Sequence, residues 1–202
     1  MYVLILGPKN PWLNMTNHVY DIVFLGSRYG GDAFSRSMKR HDGDLRDDVI
    51  RLMLDAFGER FGLFGNGWFG NVRTVSLKTA HEVYQKSRMG LNVSLANFLE
   101  CYTSDRMHRI LGCGAALLTK SFPGMSSFGL VDGVNCIVWE TPEEAVQLAR
   151  MWLDMPEELA ALAAAGAKLA RENLTWNTRM LELVPYLDAV RASRAALAGG
   201  AK

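Results

Sequence analysis

Ser104, Asp105, Arg106 and Arg109 are the residues of this chain whose types and spacing bear most clearly on chemistry. They stand in TSDRMHRILGCGAALLTKSFPGM, which runs from Thr103 to Met125 and reads as a polar helix start, an amphipathic helix, a glycine-bearing turn, a buried strand and a Gly/Pro loop. The first turn of a helix presents unpaired N–H groups and the positive end of the dipole, so an arginine there favours an anion. Arg109 follows Arg106 by three residues and shares its helix face, so both guanidiniums can meet one anion. Phosphate binding is the chemistry this predicts, and a nucleotide-linked substrate the ligand class. The plainer alternative is a capped helix with a surface ion pair, Arg109 being a solvated charge.

Further candidates follow predicted strands. Gly26 and Ser27 end an apolar run, where a glycine lets backbone approach phosphate or sugar; a tight strand-to-loop turn explains them equally. Gly65-Asn66-Gly67-Trp68 offers a turn and an indole face for stacking a base, or a turn followed by a core tryptophan. Asn92 and Ser94 fall on one face of a strand end, where they point into a cleft or close the strand's hydrogen bonds. Ser121 to Met125, with Gly124, shapes a sugar pocket or is an ordinary loop. His108 lies inside the helix, where a lone histidine is more often structural than a general base. No catalytic residue is assigned.

The elements that must position these residues alternate. Strands are predicted over Tyr20–Leu25, Gly62–Phe64, Val72–Ser76, Gly90–Leu95, Ala115–Thr119 and Val134–Trp139, and a further one is conceivable over Met1–Gly7. Helices are predicted over Leu45–Phe57 (capped by Asp44), Ala80–Lys86 and Asp105–Leu111, with a capping box at Thr141-Pro142-Glu143-Glu144 opening another. Pro156–Ala198 is Ala/Leu-rich and reads as two helices. Alternating strands and helices predict an α/β fold with a doubly wound, Rossmann-like parallel sheet and C-terminal helices. Residues 1–19 read as a lead or linker, 20–198 as the domain and 199–202 as a disordered tail.

Composition sets limits. The 202 residues carry a net charge of +1, which supplies no global field for nucleic acid. No apolar run reaches the roughly 18 residues of a membrane span. Three cysteines, Cys101, Cys113 and Cys136, lack metal-ligand spacing and suggest reduced thiols in a cytoplasmic protein. No Ser-His-Asp set, Cys/His cluster or Walker-type loop is present.

The order of DIVFLG, FGLFGNGW, YQKSRMGLNVSL, SDRMHRILGCGAALLT, a Phe-Pro-Gly loop, a Gly-x-Asn-x-Ile-Val-Trp strand, TPEEA and LTWNTRMLEL resembles the glycosyltransferases of the GT-B fold. The likeness is to the group-1-like branch that includes CgeB-type spore maturation proteins, and it covers Tyr20 to Leu187. It implies the C-terminal, donor-binding half of such an enzyme, which holds a nucleotide-diphosphate sugar and transfers the sugar to an acceptor without a metal or other cofactor. It assigns substrate binding to Gly26, Ser27, Trp68, Asn92, Ser94, Ser104, Asp105, Arg106, Arg109 and Gly124. The acceptor half, which precedes this half in the family, is not found before Tyr20; a separate acceptor-binding chain would then supply it, and the Ala-rich terminal helices with Met, Trp and Leu suggest a homodimer. The alternatives are a non-catalytic nucleotide-binding or assembly module, or a fragment. One departure stands out. Related families carry Arg-x-x-Glu at the helix start, with the Glu on the ribose; here Arg106 is retained and Arg109 takes the glutamate's place. A guanidinium donates hydrogen bonds and cannot accept them from ribose hydroxyls.

Overall fold

Among the described residues, runs rich in apolar side chains form five strands, all parallel. The computed structural model describes residues 18–28, 44–68, 72, 74–76 and 78–199. In chain order the elements are β1 (Tyr20–Leu25), α1 (Asp44–Phe57), β2 (Phe61–Phe64), α2 (Ala80–Gln85), β3 (Ser87–Asn92), α3 (Asp105–Cys113), β4 (Ala116–Lys120), β5 (Ile137–Trp139), α4 (Pro142–Leu153), α5 (Pro156–Asn173) and α6 (Trp176–Gly199). The strand order β2-β1-β3-β4-β5 makes an α/β, Rossmann-like sheet. Growth of the sheet reverses after β2, so β1 and β3 are the neighbours whose connections leave in opposite directions. An open α/β sheet forms its ligand crevice at that switch point, beyond the carboxyl ends of the strands.

The strands are apolar on both faces because helices cover both. Ile22 and Phe24 of β1, Met89 and Leu91 of β3 and Leu118 of β4 meet Val49, Ile50 and Met53 of α1 and Ala145 and Ala149 of α4. The alternate residues Val23 and Leu117 meet Tyr84 of α2, Met107, Ile110 and Leu111 of α3 and Ala170 of α5. Gly90 of β3 lets α3 approach: a Cβ there would lie 2.5 Å from Ile110 Cγ1. The capping box at the start of α4 forms as its sequence predicts, with Thr141 Oγ1 accepting from the Glu144 N–H at 3.2 Å.

Three predicted strands come out differently. The described residues of Val72–Ser76 form no strand; Val72 packs into the α1/α4 core and Val75 into the α2/α3 core. Their alternation joins two cores instead of pairing with a neighbour. The strand predicted from Gly90 starts earlier, at Ser87, and ends at Asn92, because Asn97 closes a turn on Ser94: its Oδ1 accepts from the Ser94 N–H and its Nδ2 donates to the Ser94 carbonyl. The strand predicted from Val134 begins at Ile137, because Gly133 (φ 69°) and Asn135 form a turn, with Asn135 Oδ1 accepting from the Val131 N–H at 2.8 Å. The strand considered over Met1–Gly7, most of the 1–19 lead and the tail beyond Gly199 lie outside the described residues.

Candidate functional site

A cavity of about 380 Å³ opens at the switch point. Leu25, Gly26 and Ser27 reach it from the end of β1, Gly65 and Asn66 from the end of β2, Tyr84 from α2, Arg46 from α1, and Ser104, Asp105, Arg106 and Arg109 from α3.

The first turn of α3 is open toward this space. Ser104 is its N-cap by backbone conformation (φ −92°, ψ 158°), yet no side chain caps the turn. The Ser104 hydroxyl donates instead to Asn92 Oδ1 at 3.2 Å, and Asn92 Nδ2 donates to Thr119 Oγ1 at 3.0 Å. Asn92 is therefore a buried bridge joining the ends of β3 and β4 to α3. It stands behind the cavity rather than in its lining.

Arg106, expected on a phosphate, is chiefly a positioning residue. Its Nε donates to the Leu25 carbonyl at 2.7 Å, and its Nη1 to the Val93 carbonyl at 3.1 Å and Asn92 Oδ1 at 3.4 Å. Its guanidinium carbon lies 4.4 Å from the centre of the Phe24 ring. Arg46 backs it, donating to the same Val93 carbonyl at 2.8 Å and to the Ser27 carbonyl at 3.4 Å. Two buried guanidiniums thus satisfy carbonyls at the ends of β1 and β3 and hold those ends apart as a crevice. Gly26 leaves room for this arrangement: a Cβ there would meet Arg106 Nη2 at 2.5 Å and press on the Phe24 ring at 3.0 Å. Gly65 (φ 134°) is required by the opposite wall, where a Cβ would strike the Gly26 carbonyl.

Trp68 differs from the stacking platform considered for it. Its indole is 7% exposed, its Nε1–H donates to the Gly26 carbonyl at 2.6 Å, and its ring stands edge-on to Phe24 at 5.8 Å. It pins the loop after β1 from within the core. Ser94 is buried in the turn with Asn97, and Gly124 (φ 81°) packs on Cys101, where a Cβ would lie 2.5 Å from Sγ. Neither lines the cavity. Arg28 is held by Asp47, at 2.9 Å from Nε and 2.7 Å from Nη2, and this pair raises its pKa.

Arg109 is differently placed. Its Nε donates to Asp105 Oδ2 at 2.9 Å, and its side chain is 24% exposed. Among the described residues its terminal amino groups have no hydrogen-bond or ion-pair partner, and they belong to the cavity wall. His108 is not a base for this site. Its ring packs edge-on to Phe128 outside the lining, and burial, then the charge of Arg179, holds its pKa below the ordinary value against the pull of Asp105. Burial likewise pushes the Cys113 thiol up to about 11 and Cys136 up to about 12, so both stay protonated and unreactive.

Arg46 and Tyr84 escaped the sequence reading. A signal existed for each. Arg46 continues the stripe of Val49, Ile50, Met53 and Phe57, which marks a charge on a core-facing helix side. Tyr84 stands four residues after Ala80 on a short helix and so shares its buried face.

A glycosyl transferase-like family model matches residues 40–184. The chain belongs to the glycosyl transferase-like family. A comparison with curated protein sequences finds no significant match. Solved structures similar to this family member include sucrose-phosphate synthase from Thermosynechococcus elongatus (TM-score 0.60, 12% identity, 90% of this chain and 48% of that one). Anabaena Alr3699/HepE in complex with UDP and glucose is similar at a TM-score of 0.59 and 10% identity, over 85% of this chain and 48% of that one. TarM of S. aureus, in a complex containing UDP, is similar at 0.54 and 13% identity, over 75% of this chain and 32% of that one. At these identities the likeness establishes the fold alone, the Rossmann-like arrangement of one half of the GT-B fold. This glycosyl transferase-like chain spans about half the length of the first two neighbours.

Proposed function

We propose that the chain is the donor-binding part of a glycosyltransferase. It binds a nucleotide-diphosphate sugar in the cavity between β1 and β3, and the sugar passes to an acceptor held by another lobe or chain. The observation that carries this reading is the uncapped first turn of α3 facing the cavity beside the terminal nitrogens of Arg109. Bond cleavage at the sugar's anomeric carbon leaves negative charge on the departing diphosphate. Helix N–H groups and a fixed guanidinium are aimed where that charge develops, which is how a preorganised site lowers a barrier. The reading requires no metal, because these donors supply the positive charge. Gly26, Ser27, Ser104, Asp105 and Arg109 face the ligand in this account; Arg106, Arg46, Asn92 and Trp68 hold the walls. The neighbours' complexes with UDP and glucose agree with the ligand class.

The test is thermal unfolding against UDP, GDP, ADP, CDP and TDP, with and without attached sugars. A bound member at about 100 times its dissociation constant adds roughly 2.7 kcal/mol of stability. A shift with one nucleotide series, together with release of its diphosphate from the nucleotide sugar when an acceptor lobe is supplied, supports the reading. Absence of any shift contradicts it. A second reading, an assembly module without turnover, is favoured by the exposed apolar side of α6; it predicts binding or association with no diphosphate release from any nucleotide sugar.

A further inference from the structure

Tyr84 is 1% exposed, and its ring packs in the α2/α3 core. Among the described residues its hydroxyl has no hydrogen-bond partner, although it belongs to the cavity wall. The hydroxyl oxygen is not itself fully enclosed, so the buried ring presents its O–H to the cavity. The groups acting electrostatically on this hydroxyl include Arg106, Asp105 and Arg109 of α3, whose first turn carries no side-chain cap. Burial raises the phenol's pKa, so the hydroxyl keeps its proton and remains a donor. Arg109 lines the same cavity; among the described residues its terminal nitrogens have no partner, and its Nε is fixed on Asp105.

We infer that Tyr84 is a ligand-binding residue: its O–H and the terminal amino groups of Arg109 form a two-donor subsite for a phosphoryl oxygen of the bound nucleotide diphosphate. The inference deepens the donor-site reading and rests on it. Two donors on one cavity wall, one of them cationic, suit an oxygen with several lone pairs and negative charge.

The experiment compares wild type, Tyr84→Phe and Arg109→Gln. Each is titrated with inorganic pyrophosphate, with UDP, GDP, ADP, CDP and TDP, and with the matching nucleosides. Tyr84→Phe is expected to unfold at about the wild-type temperature without ligand, because the hydroxyl makes no bond within the described residues. It should bind the preferred diphosphate and pyrophosphate about tenfold more weakly, with nucleoside affinity unchanged. Arg109→Gln should weaken the same ligands, and the losses in the double variant should not add. Unchanged diphosphate affinity in Tyr84→Phe, with wild type binding normally, overturns the subsite and leaves the donor-site reading standing. Equal loss of nucleoside affinity also overturns it, as does a clearly lowered unfolding temperature without ligand. Wild type that binds none of the diphosphates overturns both.

Discussion

Arg106 was the residue from which a phosphate contact was expected, and the structure gives it a different task. Its Nε and Nη1 are engaged by the Leu25 and Val93 carbonyls and Asn92. Arg106→Leu would strand those acceptors in a buried place, and a loss of about 3 kcal/mol is expected in urea unfolding. An unchanged midpoint would show that the carbonyls find other partners. His108 gives a pH prediction. Its pKa is depressed in the folded protein from 6.5, so the unfolded chain takes up a proton first as pH falls. The stability tied to its neutral form is complete above about pH 6.5 and declines as pH drops from there toward the folded value. Unfolding temperatures at pH 7.5 and 5.5 should differ less in His108→Gln than in wild type; an equal difference would place the titration elsewhere. Residue types at the start of α3 were legible in the sequence, since a polar cluster with arginines before an amphipathic helix signals an anion site. Which arginine points outward was not, because it depends on where strand-end carbonyls 13 and 81 residues away need donors.

At the scale of elements, the parallel sheet and most helices could be read from alternating β-rich and helical runs. Errors fell where an apolar alternation served another purpose. Val72 and Val75 face two different cores, and one sequence cannot distinguish that from a strand. The closeness of α3 to β3 was equally hidden, since it is set by a missing side chain. Gly90→Ala places a Cβ against Cγ1, Cγ2 and Cδ1 of Ile110 at 2.5–2.8 Å. Overpacking of this kind costs about 1–3 kcal/mol, measurable as a lowered denaturation midpoint. Because α3 would be pushed from the sheet, nucleotide binding should weaken in the same variant. A stable variant with full binding would show that α3 has room to shift.

For the whole molecule, α6 stands apart. Trp176, Met180, Leu183, Leu187 and Val190 recur at helical spacing and are all at least half exposed. A hollow of about 660 Å³ along this helix is lined by its own residues, where Arg179 and Glu182 pair at 2.9 Å, so it gathers no convergent polar set. A chain ending at Leu174 is expected to unfold as cooperatively as the full one, within a few degrees, because the two cores draw on α1 to α5 and not on α6. A large fall would mean that α6 completes the fold. The central claim concerns the crevice between β1 and β3. Its most direct test is amide hydrogen exchange with and without a saturating nucleotide-diphosphate sugar, chosen from the five nucleotide series. Protection is predicted at Asp105 to Met107, Gly26 to Arg28 and Gly65 to Asn66, with α6 unchanged. Protection confined to other elements, or none under any of the five, would contradict the account.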